Sequence, residues 1–358
     1  MLALRRMPRR RKRLDATSFD LPADELRRGT FAHATALWAR DVLVADGRSP
    51  VVTVQFSSEQ SGLLGGIDEA IAALKVAAED WSQLTVHALY DGDRIDADES
   101  VMTVEGRYEQ FAHLAPLCIG VLSRRTRVST NARALVEAAR PKPVMTLPAR
   151  NDHWLLHRGD ALAAQIGGTM HLTGTAQASR TQPPLLLVPH ALVASYGGDT
   201  VAAVRAALAH TPERVLVVAP VDYDNDCVAT ALAVARSQEA RVWGVQLATS
   251  DRLVDRSIIP EMGGFVPTGV NPRLVWNVRN ALDAEGFGDI KILVSGSIDV
   301  GRIRAFEEEG VPVDAYGVGT ALTSGRFGFV ADVVMLDGQP HSRAGRTLKP
   351  NARMERVR

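Results

Sequence analysis

The sequence predicts an α/β chain in two parts, a mixed α+β layer followed by parallel strands joined through helices. Three observations predict it. From about residue 124 to 330, strand-like and helical patterns alternate in units of roughly thirty residues, the signature of βα crossovers. Before that, strand patterns surround one helix. After it, residues 331–358 return to strand-like and basic polar sequence that packs back on the first part. The expected division is a disordered basic tail at 1–16, an α+β domain at 17–123 joined by 331–358, and a barrel or open sheet of parallel strands at 124–330.

The tail holds Arg5-Arg6-Met7-Pro8-Arg9-Arg10-Arg11-Lys12-Arg13, a basic run with no core-forming period. It lacks the apolar segment that a secretory signal places after its charges. In the first domain Val51–Phe56 alternates as a strand, and Ile67, Ile71 and Leu74 are spaced as one helix face. Leu84–Tyr90 forms a strand closed by the turn pair Asp91-Gly92, with Val101–Val104 as its neighbour. In the second part the expected helices are Asn131–Arg140, Asp199–Ala209, Asn225–Ser237 and Pro272–Ala284. The expected strands are Val144–Leu147, Arg214–Ala219, Arg241–Leu247 and Ile290–Val294.

The segment from Lys291 to Thr320 organises this second part. Lys291–Val294 ends at Ser295-Gly296-Ser297, a helix with Ile303 and Phe306 on one face follows, and Gly310 stops it. The strand Val311–Tyr316 then opens into Gly317-Val318-Gly319-Thr320. Parallel neighbours put both small-residue loops at one carboxyl end, where bare backbone N–H groups surround an anion such as a phosphate. The same residues also read as two ordinary βα turns.

Composition is that of an ordinary soluble globular protein: 358 residues, 46% hydrophobic and 23% charged. With 41 basic and 41 acidic residues there is no net charge, so no global field favours nucleic acid or an anionic membrane. No apolar run reaches membrane-spanning length. Cys118 and Cys227 stand far apart in apolar sequence and form neither a disulfide framework nor a zinc site. A cytoplasmic protein without a metal-ligating cluster is expected.

Strand ends supply the remaining candidates: Arg150 after Val144–Leu147, Asp222 after Leu216–Ala219, Gln246 on Arg241–Leu247, and His190 ahead of the Gly197–Thr200 turn. An arginine, a carboxylate, a histidine and two anion loops suit a phosphorylated sugar, with Asp222 on ribose hydroxyls or a magnesium-bound diphosphate. Singly, Asp222 also reads as a helix cap and His190 as a structural histidine.

These residues sit in tags that resemble the nicotinate phosphoribosyltransferases, which share the type II phosphoribosyltransferase fold with the quinolinate and nicotinamide enzymes. The tags are Gly65–Ala70, Glu105–Tyr108, Arg124-Arg125-Thr126 with Thr130-Asn131, Pro189–Leu192, Tyr196–Thr200, Val221–Asp226, Thr268–Arg273, Val294–Gly296 and Tyr316–Thr320. The resemblance implies an N-terminal sandwich domain completed by the C-terminal segment and an irregular α/β barrel. It implies transfer of phosphoribosyl from phosphoribosyl diphosphate to the ring nitrogen of nicotinate or a similar heteroaromatic acid, in NAD salvage. Ser295, Gly296, Ser297, Gly317, Val318, Gly319 and Thr320 would hold the 5-phosphate, and Arg150 and Gln246 would face the anionic ligands. Arg125 would reach a neighbouring site across a homodimer or larger homo-oligomer. Mg2+ accompanies the diphosphate, and ATP is the co-substrate of members that phosphorylate the histidine matched by His190.

The chain departs from the family pattern at four places. Arg-Leu-Asp becomes Gln246-Leu247-Ala248, the tyrosine-bearing ligand motif becomes Phe31–Ala36, Leu-Glu-Thr becomes Leu114-Ala115-Pro116, and Gly-Asp-Gly-Tyr becomes Gly159–Leu162. Losing charged partners at a transition state costs a few kcal/mol. The departures keep two alternatives open beside nicotinate transfer: a phosphoribosyltransferase with a different acceptor, and a non-catalytic protein of the same fold.

Overall fold

The computed structural model describes residues 12–147, 152–171, 185–237 and 239–358. In chain order they form α1 Ala23–Arg27, α2 Ala34–Ala45, β1 Val51–Ser58, β2 Gly62–Leu63, α3 Ile67–Ala77, β3 Thr85–Ala88, β4 Arg94–Ile95, β5 Ser100–Arg107 and α4 Tyr108–Phe111. Helix α5 Ala115–Ala139 follows, then β6 Val144–Thr146, α6 His157–Gly167, β7 Met170–His171, β8 Leu185–Leu187, α7 His190–Ser195, α8 Thr200–Ala209, β9 Leu216–Pro220 and α9 Cys227–Arg236. The chain continues with β10 Val242–Leu247, α10 Pro272–Ala284, β11 Lys291–Val294, α11 Val300–Glu308, β12 Ala315–Val318, β13 Phe329–Leu336, β14 Gln339–Pro340 and β15 Glu355–Arg356. The chain divides into two compact units, residues up to Thr130 with Gly325–Arg358, and Asn131–Ser324.

The first unit is an antiparallel sheet in the order β14-β13-β1-β5-β3-β15. Strand β1 sits between β13, which arrives from the C-terminal segment, and β5. Its inward residues Val52, Val54 and Phe56 pack with Val86, Val104 and the buried face of α3, Ile67, Ile71 and Leu74. Helix α3 begins at Gly66, whose positive φ (+85°) and lack of a side chain leave the first helical N–H groups without a local cap. Asp91, in the turn after β3, supplies it: its carboxylate accepts from Ile67 N–H at 2.9 Å and Asp68 N–H at 3.4 Å. Burial, reinforced by the neighbouring Asp68 carboxylate, pushes Asp91 up to about 7.

Residues 13–16, expected to lie in a disordered tail, are instead anchored to this cap. The Arg13 guanidinium donates to Asp68 at 2.9 Å and to Ala88 O at 3.1 Å and lies over the Tyr90 ring at 4.1 Å. Leu14 N–H donates to the other Asp68 oxygen, and Asp15 caps a short 3-10 turn. A buried carboxylate needs a compensating partner, and Arg13 supplies a cation to Asp68.

A second difference concerns α5. The pattern from Asn131 to Arg140 is only its last part, because the helix starts at Ala115. Buried positions recur at Cys118, Leu122, Thr126, Ser129, Ala132, Leu135 and Ala139, which is helical spacing. Polar Thr126 and Ser129 interrupt the apolar stripe and hide it from a hydrophobicity count. Their hydroxyls are satisfied by backbone: Thr126 Oγ1 by Gly65 and Ser129 Oγ by Leu63 O at 2.5 Å.

The second unit is a curled parallel half-barrel in the order β7-β6-β12-β11-β10-β9-β8, with every pair parallel. Met145, Val218, Leu293 and Ala315 fill its core against Leu147, Leu185, Leu187 and Trp243. The expected strand Val311–Tyr316 lies further along the chain, at Ala315–Val318. Gly310 (φ +63°) closes α11 and Val311 N–H bonds back to Phe306 O, so these residues finish the helix instead of starting the strand. Tyr316 is buried in β12 and donates its hydroxyl to Glu307 of α11 at 2.5 Å, with Lys142 on the same carboxylate oxygen at 2.7 Å.

Two tests follow from this packing. A Cβ on Gly244 would lie 2.2 Å from the backbone oxygen of Lys291, so Gly244→Ala must part β10 from β11. It is expected to lower stability in urea unfolding by about 1–3 kcal/mol. Asp91 carries a folded-state pKa raised above its unfolded value, so its contribution to stability is full below about pH 4 and is lost as pH rises through about 7. Asp91→Asn keeps an oxygen acceptor and never ionises. The fall in melting temperature between pH 5 and pH 8 is therefore expected to be smaller in the variant than in the natural protein.

Candidate active site

Because the half-barrel strands are parallel, the segments that follow β6, β8, β9, β10, β11 and β12 share one rim. The candidates of the second unit lie there. After β11, Ser295 is buried, Gly296 has φ +85° and Ser297 φ +49°, two successive left-handed residues that a glycine and a small polar residue can adopt. Asp299 then caps α11 by accepting from Arg302 N–H at 2.8 Å. After β12, Gly319 leads into a 3-10 turn at Thr320–Thr323. Gly317 and Val318 belong to β12 itself, not to the loop in which the sequence pattern puts them.

The loops converge closely. A Cβ on Gly317 would lie 3.0 Å from the Ser295 side chain and 3.1 Å from that of Leu147, and a Cβ on Gly296 would lie 3.7 Å from Ala248 O. Small residues therefore let the backbones after β6, β10, β11 and β12 approach one another. Gln246, buried on β10, donates from Nε2 to Ser295 Oγ at 2.7 Å. The residue that the resemblance places towards the anionic ligands thus gives one of its two amide hydrogens to Ser295, just after β11. Ala248 follows with no polar side chain.

On the same rim His190 and Asp222 form a pair that 32 positions of sequence separate. His190 opens α7 just after β8, and Asp222 stands just after β9. His190 Nε2 and Asp222 Oδ1 are 2.8 Å apart, with the carboxylate largely shielded and the imidazole half exposed. A carboxylate in its ionised form only accepts, so Nε2 is the ring nitrogen placed to donate to Asp222. Tyr223 stacks on the imidazole, centroids 6.5 Å apart and planes 22° apart. Gly198 gives that ring room: its own Cβ would lie 3.2 Å from Tyr223. Neither the pairing nor the Tyr223 platform is legible from sequence spacing.

Arg150 lies outside the described residues. Arg125 belongs to the first unit, where Glu69 takes its guanidinium in a fork, Nε to Oε2 at 2.7 Å and Nη2 to Oε1 at 3.0 Å. Its aliphatic stem covers Gly66, where a Cβ would lie 2.7 Å away. No group of three or more His, Cys, Asp or Glu side chains suited to a metal stands together among the described residues. A magnesium ion that enters on a diphosphate needs only one or two protein carboxylates, and Asp222 offers one at this rim.

Two residues escaped the sequence reading. Asp255 is fully buried after β10 and accepts from Cys227 N–H at 2.9 Å and from the Ser257 N–H and hydroxyl, tying this loop to the start of α9. Arg302, on α11, donates to the backbone carbonyls of Gly296 and Ser297 after β11 and of Val270 before α10. Both look like ordinary charged residues until the fold brings their acceptors together.

Known proteins resemble the chain in both sequence and fold. A sequence model described as the N-terminal domain of quinolinate phosphoribosyl transferase matches residues 34–125. The nicotinate phosphoribosyltransferase of Mycobacterium tuberculosis is 28% identical over 283 residues, 75% of this chain and 57% of that protein. That of Bacillus subtilis is 22% identical over 240 residues, 66% of this chain and 45% of it. The chain thus spans about half the length of the curated relatives it matches. Among solved structures, the nicotinate-nucleotide pyrophosphorylase of Pyrococcus furiosus superposes with a TM-score of 0.77 at 24% identity, over 97% of this chain and 86% of that one. Human nicotinic acid phosphoribosyltransferase gives 0.60 at 15%, over 86% and 75%. No helix among the described residues is long and apolar enough to cross a membrane.

The Gln246–Ser295 bond is open to direct measurement. Gln246→Leu leaves the buried Ser295 hydroxyl without its donor and is expected to cost about 1–3 kcal/mol in denaturant unfolding, whereas Gln246→Glu, which restores an acceptor in place of the donor, is expected to shift stability with pH.

Proposed function

We propose that this relative of the nicotinate and quinolinate phosphoribosyltransferases transfers the 5-phosphoribosyl group of phosphoribosyl diphosphate to the ring nitrogen of nicotinate, releasing diphosphate. One observation supports the proposal: the segments with the two small-residue loops and the His190–Asp222 pair follow parallel strands of one half-barrel and so lie on the same rim. The loops after β11 and β12 receive the 5-phosphate on backbone N–H groups. The pyridine nitrogen's lone pair forms the bond to the anomeric carbon as the bond from that carbon to the diphosphate oxygen breaks. Positive charge develops on the sugar and negative charge on the departing oxygen, so the protein's task is positioning and charge placement.

Asp222 is held by His190 on Oδ1, and its other oxygen would hold the ribose hydroxyls or a diphosphate-bound magnesium ion. A ring nitrogen of His190 would attack the γ-phosphorus of ATP, the N–P bond forming as the bond from phosphorus to the ADP oxygen breaks and ADP leaves, and hydrolysis of that phosphohistidine would favour product. Two chains of this kind are expected to assemble as a homodimer in the cytoplasm. A second acceptor class is favoured by one specific feature. Gln246 is neutral and committed to Ser295, and Ala248 has no charge, so these two positions offer no cation to a carboxylate and leave room for a bulkier ring.

The test is diphosphate release from phosphoribosyl diphosphate with magnesium, with and without nicotinate and with and without ATP. Nicotinate-dependent release is the expected result. If nicotinate changes nothing, a panel of heteroaromatic acids and amides decides between another acceptor and a non-catalytic protein. Asp222→Asn is expected to lower kcat by about two to three powers of ten, and His190→Ala to abolish stimulation by ATP while slow basal transfer persists.

A further inference from the structure

We infer that Arg302 is a positioning residue for the anion loop: its guanidinium clamps the carbonyl side of Gly296-Ser297 and so aims the opposite, N–H side at the 5-phosphate. The inference rests on the reading of Ser295–Ser297 as a phosphate loop.

Arg302 lies in the first turn of α11 and is about two-thirds shielded. Its Nη1 is 3.3 Å from Gly296 O, 3.3 Å from Ser297 O and 3.3 Å from Asp251 Oδ1, and its Nη2 donates to Val270 O at 2.6 Å. One guanidinium thus gathers the loop after β11 and the segment that leads into α10. Its rigid planar fork holds five N–H donors in fixed directions, whereas an ammonium offers three on one rotating nitrogen.

The direction of the effect follows from peptide geometry. In a trans peptide the carbonyl of one residue and the N–H of the next point in opposite directions. Holding Gly296 O and Ser297 O on the Arg302 side turns Ser297 N–H and Ile298 N–H to the other side. Among the described residues neither N–H donates to an internal acceptor. Gly296 and Ser297 both have positive φ, a conformation that costs a non-glycine residue about 1–2 kcal/mol and needs support from its surroundings. The Arg302 fork supplies that support, and Asp251 holds the fork. A neutral side chain at 302 frees the peptides to rotate, and the donors no longer converge.

The role acts on the phosphate and leaves the acceptor alone. Calorimetric titration of the full chain with ribose 5-phosphate and with magnesium phosphoribosyl diphosphate tests it, alongside steady-state KM for nicotinate and the melting temperature. Arg302→Met is expected to weaken both phosphorylated ligands about tenfold or more, with the KM for nicotinate within about twofold of the natural protein's, since a hydrogen bond from a charged donor is worth about 1.5–3 kcal/mol. Arg302→Lys keeps the charge without the fork and is expected to recover only part of the loss.

Should Arg302→Met not fold, Arg302→Lys carries the test, and affinity equal to the natural protein's overturns the inference. Equal affinity in a folded Arg302→Met overturns it as well. So does a loss spread equally over nicotinate and the phosphorylated ligands, which marks a general structural role. If the natural protein binds neither phosphorylated ligand, the reading of the loop itself fails, and the inference falls with it.

Discussion

The candidate site depends on the parallel pairing of the half-barrel strands. Seven strands run the same way, so whatever follows each of them emerges on a common rim. His190 thus meets Asp222, and Gln246 meets Ser295, without any local instruction to do so. The pairing tolerates little bulk. Gly244 lets β10 approach β11, and Gly317 lets the backbones after β6 and β11 close in on β12. Small residues at these points are a condition for the rim, because a β-carbon would hold the strands apart before any ligand arrived.

The buried polar groups at the start of α3 and along the rim find partners, which offsets the cost of removing them from water. Asp91 caps α3 because Gly66 cannot. Arg13 and Arg125 answer the Asp68 and Glu69 carboxylates at the start of that same helix. Thr126 and Ser129 turn their hydroxyls on the backbone of residues 63–65. In the second unit Gln246 satisfies Ser295, Asp255 satisfies the first N–H of α9, and Arg302 satisfies three carbonyls. Gln246, where the family that the sequence resembles has an arginine, has a local structural account: an amide fits beside a buried serine hydroxyl without the cost of burying an unpaired charge.

Much of the architecture was legible because it rests on periodicity. Helix α10 spans Pro272–Ala284 as its pattern predicts, with Asn271 as cap and proline in the first turn. Strand β1 and the return of residues 329–336 beside it follow from alternation and β-branched residues. Errors arose where periodicity failed as a guide. Thr126 and Ser129 masked the middle of α5, and Val311 read as strand although it completes the closure of α11. Arg13 read as tail because a run of basic residues carries no sign of the carboxylate that awaits one of them.

The sequence by itself determined the fold class, the family likeness and the loop Ser295–Ser297 after its strand. Those properties live in local pattern and in residue identity, which a chain carries whether folded or not. Tertiary structure alone decided which side chains spend their hydrogen bonds on one another: His190 on Asp222, Gln246 on Ser295, Arg125 on Glu69 and Arg302 on the loop carbonyls. Each partnership joins residues whose places in the chain say nothing of their distance in space. A hydrogen bond is settled within about 3.5 Å, and only the packed backbone brings two such groups that close.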